Sequence, residues 1–319
     1  LRIISQDLDS LSGLEECPSL ERLWVVECEI AEIQYIGELR NLKYLNLSSN
    51  AISQISGLDL LDKLEVLWLN KNQISVLEGI QCLTSLQTLW LGSNQIRTLQ
   101  GVQFPAAKSL REINLADNLL IGFHEIQILT DISSLRVLWF DDPHFGPNPM
   151  CSLANYQTQV LVALPLLEEL DCVEITAETK QIAHSTFIKK KMYYNMRIKT
   201  IKRSTSAAGK SAARARKQRT AVVLSVLESL ICAQYEVTKR IQDLRNNQCS
   251  EDEIGPLESL QENIAEKVQM THEILEGIHD MYKSLSRKLC IFAEEETQRM
   301  LIELENGGNI RFDEATDNR

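Results

Sequence analysis

Leu42-Lys43-Tyr44-Leu45-Asn46-Leu47-Ser48-Ser49-Asn50-Ala51-Ile52 is the stretch on which the fold of this chain turns. Its form, L-x-x-L-x-L-x-x-N-x-I, returns as Leu20 to Ile30, Leu64 to Ile74, Leu86 to Ile96 and Leu110 to Leu120. A shortened copy precedes them, with Leu1, Ile3, Gln6 and Leu8 at the matching places. The place of Asn50 is filled in turn by Gln6, Cys28, Asn50, Asn72, Asn94 and Asn118, at steps of 22, 22, 22, 22 and 24 residues. A fixed period of that length marks a stack of small units, none able to bury its apolar face alone.

The chemistry of one unit explains its residue types. Alternate residues of a short strand face opposite sides, so Leu45 and Leu47 point inward. The Asn turns the chain, and its amide can bond backbone groups in the bend, so stacked copies form a ladder. The second half, Ile52-x-x-Ile55-x-x-Leu58, has three-residue apolar spacing that suits a single helical or 3₁₀ turn. The form resembles the leucine-rich repeat, in which Cys is a known substitute for the Asn. That resemblance implies an α/β fold, a leucine-rich-repeat solenoid (a compact, moderately curved horseshoe) used as a binding scaffold.

A sixth full copy begins at Leu135-Arg-Val-Leu138-Trp-Phe140, but Asp141-Asp142-Pro143 replaces the expected turn. Pro143, Gly146, Pro147 and Pro149 make the next stretch a loop. Tyr156, Pro165, Leu167, Leu170 and Asp171 resemble the C-terminal cap of proteins with 22-residue leucine-rich repeats, which closes the open end of the solenoid. That class includes a phosphatase regulatory subunit, a spliceosomal protein, an axonemal dynein light chain and several ciliary proteins. Asp142 to Cys151 with Asn155-Tyr156, Met192 to Arg197 and Gly307 to Phe312 resemble the ciliary members more particularly.

The 319 residues allow more than one domain. From Ile188 to Arg219 there are twelve basic residues and no acidic one, and the formal charge is −11, so the remainder carries −23. No apolar run approaches the roughly 18 residues of a membrane span. The chain opens inside a repeat, without an initiator Met or a signal peptide, and is expected to be a piece of a longer protein. Its eight cysteines form no C-x-x-C pair and no zinc-spaced Cys/His cluster. Most sit among apolar residues, as small buried thiols usually do, and a reducing, cytosolic setting is expected.

Beyond the repeats, Thr176 is placed to cap a basic helix. Ser204 to Ala213 is small and polar and reads as a flexible linker. Val223, Leu227, Leu230, Val237, Ile241 and Leu244 then form one apolar row at helical spacing, and Leu260 to Phe292 carry a longer one. Asn246 to Ser250 and Gly255-Pro256 separate the two, with Pro256 suited to a first turn. Asn306-Gly307-Gly308 should stop the second. Such rows suggest an antiparallel hairpin, or helices that pair with another chain. The expected organisation is a repeat array at 1–150, a cap at 151–175, a basic helix at 176–203, a linker at 204–216, a helical hairpin or coiled coil at 217–306 and a tail at 307–319.

All four tryptophans occupy one repeat position, between the two strand leucines. Trp24, Trp68, Trp90 and Trp139, with Asn46 and Asn114 in the same column and Tyr44 beside it, are candidate partner contacts on the concave sheet. Neighbouring strands could half-cover such rings and use them only for stability. Trp is nevertheless favoured at interface hot spots. Lys189, Lys190, Lys191, Arg197, Lys199, Lys202 and Arg203 form a second candidate surface. It suits phosphate backbones or acidic proteins such as tubulin tails, or else is a solvated tether.

No Gly-rich phosphate loop, H-E-x-x-H or G-x-S-x-G occurs, and five scattered histidines lack a nucleophile pattern. A non-enzymatic protein without cofactor or metal is expected, with other proteins as partners and neither membrane nor nucleic acid favoured. The family resemblance implies the cytoplasm and cytoskeleton, in the axoneme of a cilium or flagellum. The rival roles are a phosphatase-regulatory subunit docking a catalytic subunit on the concave face, and a component of an RNA–protein complex.

Overall fold

A computed structural model describes residues 1–105, 109–247 and 250–305. The described chain forms two compact units, Leu1–Tyr193 with 302–305, and Tyr194–Leu301. The first is the solenoid that the repeats imply. Seven parallel strands, one from each copy, stack in sequence order: β1 (Arg2–Ile4), β2 (Arg22–Val26), β3 (Tyr44–Asn46), β4 (Val66–Trp68), β5 (Thr88–Trp90), β6 (Glu112–Asn114) and β7 (Val137–Trp139). Register advances by whole repeats, with Leu23, Leu45, Leu67, Leu89, Ile113 and Leu138 side by side. All six are fully buried. Each repeat thus contributes one shelf to a continuous core.

The amide ladder is present. Asn72, Asn94 and Asn118 each donate from Nδ2 to a carbonyl of their own repeat and one of the repeat before, at 2.9–3.0 Å. Each Oδ1 accepts a backbone N–H of the preceding repeat at 3.0 Å. Asn50 does the same with slightly longer reach to Ile30. The residue before each Asn adopts a left-handed conformation, as Ser49 (φ 57), Lys71 (φ 54), Ser93 (φ 54) and Asp117 (φ 50) show.

Among the described residues, the second halves hold a short 3₁₀ helix at Leu14–Glu16 and one α-helix. In the 22-residue repeats they are extended segments followed by i→i+3 turns, such as Leu61 N–H to Leu58 and Leu64 N–H to Leu61, both at 3.0 Å. The longer repeat from Leu110 to Leu135 has room for α1 (His124–Leu129). One column of these bends is left-handed, and at Gly79 (φ 74) a Cβ would lie 2.1 Å from the Ile55 carbonyl oxygen. Gly79→Ala should therefore lower stability by roughly 1–3 kcal/mol from backbone strain alone. Gly101→Ala, at φ 81 but with nothing within 4 Å of the new Cβ, should cost less. All four tryptophans lie in this unit, so urea unfolding followed by their fluorescence measures both.

The turn missing from the sixth copy is displaced rather than lost. A two-stranded hairpin, β8 (Asp141–Asp142) and β9 (Gly146–Pro147), is inserted after β7. Beyond it Asn148 resumes the ladder, donating to Leu115 O at 2.6 Å and Phe140 O at 2.9 Å and accepting from Leu120 N at 3.1 Å. The cap then closes the stack. α2 (Tyr156–Ala163) leads to β10 (Glu169–Leu170), which adds to β7 in parallel, and β11 (Val173–Glu174) covers β10 from the other side. Asp171 accepts the Phe140 and Asp141 N–H groups at 2.8 and 3.0 Å and the Tyr156 hydroxyl at 2.8 Å. Leu167 and Leu170 are buried beneath it. Burial, and next the Asp171 charge, push the neighbouring Cys151 thiol up to about 11.

Thr176 caps α3 (Ala177–Asn246), its Oγ1 accepting the Thr179 N–H at 3.1 Å. The linker expected at 204–216 is not a break, because α3 runs through it as one 70-residue helix. Ala207, Ala208, Ala212, Ala213 and Ala215 are strong helix formers, and Ala212 and Ala215 are half-buried. Small size had suggested flexibility, whereas alanine loses no side-chain entropy in a helix. α4 (Glu251–Glu305) begins before Gly255-Pro256, so Pro256 lies inside the helix rather than at its start. The position is early and exposed, where the carbonyl of Asp252 that loses its partner faces solvent.

Within the second unit the helices form an antiparallel pair. Arg216 meets His279 at 2.6 Å, Gln261 donates to Thr238 at 2.9 Å, and Arg245 bonds Glu258, partners that run in opposite directions along the chain. One window of α3, Thr220 to Val237, is long and apolar enough by composition to cross a membrane. This corrects the expectation that no such run exists: Glu228 and Glu236 are its only charges. The stop at Asn306-Gly307-Gly308, the 307–319 tail and Cys249 lie outside the described residues.

Candidate functional site

On a strand whose leucines point inward, the residues between them must point out. The pairing therefore places Trp24, Asn46, Trp68, Trp90, Asn114 and Trp139 in one row across the outer face of the sheet. A parallel row holds Arg22, Tyr44, Val66, Thr88, Glu112, Val137 and Glu169. The four indoles and Tyr44 are half-buried.

Three of the rings are continuous. Trp68 and Trp90 lie 5.4 Å apart and tilted by 32°, and Trp90 meets Trp139 edge-on at 5.5 Å. The last contact crosses the intervening strand, and the fate of Asn114 explains it. Asn114 is fully buried, donates to Asp142 Oδ2 at 2.9 Å and accepts the Ala116 N–H at 2.9 Å. It is thus not a partner contact, which corrects the sequence expectation. The β8–β9 insertion brings Asp142 over it, and the short amide leaves space above which the flanking rings meet.

The remaining expected residues are held but not sealed. Asn46 stays half-buried with its Oδ1 taken by the Ser48 N–H at 2.9 Å. The Arg2 guanidinium lies 4.8 Å from the Trp24 ring, and Arg22 lies equally close to Tyr44, so cation–π contacts orient both rings. The indole N–H groups reach forward one strand, Trp90 to Glu112 at 2.6 Å and Trp139 to Glu169 at 3.0 Å. At Trp68 the corresponding neighbour is Thr88, and the indole N–H is buried without an acceptor.

Sequence reasoning missed Glu112 and Glu169 as members of this site. A half-buried indole needs an acceptor, and a carboxylate one repeat further on was the available signal. It also missed Phe145, at the tip of the β8–β9 hairpin. Phe145 packs on Gly92, where an added Cβ would approach within 2.7 Å, and Lys71 reaches to 6.0 Å of its ring. The loop therefore covers one edge of the sheet and leaves the aromatic row beside it.

The basic residues all lie on α3. Lys189, Lys191, Arg197, Lys199, Lys202 and Arg203 are exposed. Lys190 is buried, and burial holds its ammonium below the usual lysine range. It is a structural residue rather than part of a charged surface. The histidine with a carboxylate partner is His124, 2.7 Å from the buried Glu125 on α1, and Glu125 is already used as acceptor for the Leu99 N–H at 2.6 Å. No group of three His, Cys, Asp or Glu able to hold a metal occurs among the described residues.

A family model described as leucine-rich repeats in two copies matches residues 62–103. Internalin C2 from Listeria monocytogenes is similar at 20% identity over 56% of this chain and 74% of its own, with a TM-score of 0.42. The SNF/U2A′ complex from Drosophila melanogaster matches at 26% identity over 47% and 90%, with a TM-score of 0.41. A leucine-rich-repeat protein from Leptospira interrogans matches at 24% identity over 49% and 38%, again at 0.41. Residues 62–103 therefore match leucine-rich repeats, and the chain folds as a parallel-sheet solenoid of that kind followed by a long helical region.

Proposed function

We propose that this chain is a structural component of the ciliary or flagellar axoneme, gripping one protein partner on the outer, concave face of its repeats and engaging another through its helices. The observation that carries the scaffold reading is the continuous Trp68–Trp90–Trp139 surface, with Trp24 in the same row and Tyr44 in the row beside it. Half-buried aromatic rings held by neighbouring carboxylates and guanidiniums offer rigid apolar contact with little ordering cost, as interface hot spots do. Each ring covered by a partner would contribute on the order of 1–3 kcal/mol. The ciliary placement rests on the resemblance of Asp142 to Cys151, Asn155-Tyr156 and Met192 to Arg197 to leucine-rich repeat-containing protein nine of cilia. Acidic protein surfaces, tubulin among them, suit the exposed cations of α3.

The test is a pair of pull-downs from ciliated-cell extract with wild type and a Trp24/Trp68/Trp90→Ala variant, after circular dichroism has shown that the variant folds. Recovery of axonemal proteins, with a subset lost from the variant, is the expected result. An unchanged catch would remove the aromatic face from the interaction. A phosphatase catalytic subunit or an RNA–protein complex as the dominant catch would replace the axonemal role with one of its rivals.

A further inference from the structure

The helical pair carries two charged stripes of matching pitch. On α3, Lys199, Arg203, Lys210, Arg214 and Lys217 are all exposed. Their steps of 4, 7, 4 and 3 residues keep them within about 60° of one another at 3.6 residues per turn. On α4, Glu262, Glu266, Glu273, Glu276 and Asp280 are likewise exposed. Steps of 4, 7, 3 and 4 keep these within about 80°. Each stripe runs roughly 27 Å along its helix. Among the described residues none of the ten has an opposite charge within 4.0 Å.

The stripes do not neutralise each other within one chain. Each faces away from the partner helix: on α4 the buried Ile264 and Thr271 lie half a turn round from the carboxylates, and on α3 the buried Tyr194 and half-buried Ala212 lie far round from the cations. The stripes are also at different levels. Arg216 is paired with His279 and Thr238 with Gln261, so Glu262 to Glu276 stand beside residues beyond the basic stripe and Asp280 alone reaches the level of its end.

We propose that the helical pair self-associates, with α3 of one copy lying parallel to α4 of a second. In that register Lys199 faces Glu262, Arg203 faces Glu266, Lys210 faces Glu273, Arg214 faces Glu276 and Lys217 faces Asp280. A flexible acidic tail or a phosphate backbone needs no fixed pitch to follow a basic stripe. A stripe of the same length and spacing on a rigid helix does, and α4 has one. The two surfaces differ, so the contact is head-to-tail, and copies add in series rather than closing as a two-fold pair. This rests on the part of the proposed function that gives the helices a partner. The tryptophan pull-down tests the other part, so the two can fail separately.

Sedimentation velocity of the full chain supplies the test. At about 0.1 M salt, where charges act over about 10 Å, species larger than the monomer should appear and grow with concentration, and at about 1 M, where screening shortens that to about 3 Å, they should dissociate. Arg203→Glu/Arg214→Glu should weaken association at least tenfold, and so should Glu266→Arg/Glu276→Arg, since each places like charges against each other. An equimolar mixture of the two variants restores opposite charges at both contacts and should associate again. A wild type that stays monomeric at low salt overturns the proposal, whether or not it binds an RNA oligonucleotide or an acidic peptide. So does either variant associating like wild type, or a mixture that stays monomeric while circular dichroism shows both variants helical.

Discussion

Asn94→Ala should unfold the repeat unit at a markedly lower urea concentration than wild type, for a loss of about 3–5 kcal/mol. The side chain is buried and serves two repeats at once. It donates to Leu69 O and Leu91 O, both at 2.9 Å, and accepts the Ile74 N–H at 3.0 Å. Truncation leaves those backbone groups in a closed core where water does not replace the amide. Each unsatisfied buried group costs about 1–3 kcal/mol. Asn50→Ala removes an equivalent set but from a half-buried site, so its loss should be smaller. Equal losses at the two positions would show that the ladder's energy does not depend on burial.

Asp171→Ala should be nearly as damaging, at roughly 2–4 kcal/mol, because the Phe140 and Asp141 N–H groups and the Tyr156 hydroxyl would lose their one shared acceptor. Tyr156→Phe removes a single hydrogen bond of that set and should cost about 1 kcal/mol. The same site gives a pH signature. Burial is the largest influence on the Asp171 carboxyl and raises its pKa, opposed by the hydrogen bonds it accepts. A folded-state value above the unfolded one means that folding favours the protonated form. The associated stability is present in full below the unfolded carboxylate range near about 4 and is lost as pH rises through the raised value. Wild type should therefore lose stability relative to Asp171→Asn as pH increases from about 4, measured by urea midpoints at several pH values. A difference that stays constant with pH would show that this carboxyl titrates as it does in the unfolded chain.

Much of the first unit was legible because each local choice is repeated. The leucine columns, the amide ladder, the cap residues and the tryptophan row all follow from one spacing, and a single strand geometry converts spacing into direction. Exceptions arise where the period is broken. Nothing local marks Asn148 as the next rung, since it stands five residues beyond the place held by Pro143 and only the inserted hairpin brings it into line. Asn114 read as an outward residue like Asn46, yet Asp142 from that insertion covers it. In the helical region, composition suggested a break at 204–216 where alanine propensity and pairing with α4 keep one helix.

By itself the sequence determined the solenoid, its direction of stacking and which side chains enter its core, because a fixed period imposes the same burial on every copy. The tertiary structure alone decided which outward residues remain available. Contact between Trp90 and Trp139, the covering of Asn114 and Gly92, the burial of Lys190 and the separation of the two charged stripes all depend on segments distant in the chain. Residue spacing sets the side of an element on which a side chain emerges. Whether that side meets solvent depends on what packs against it.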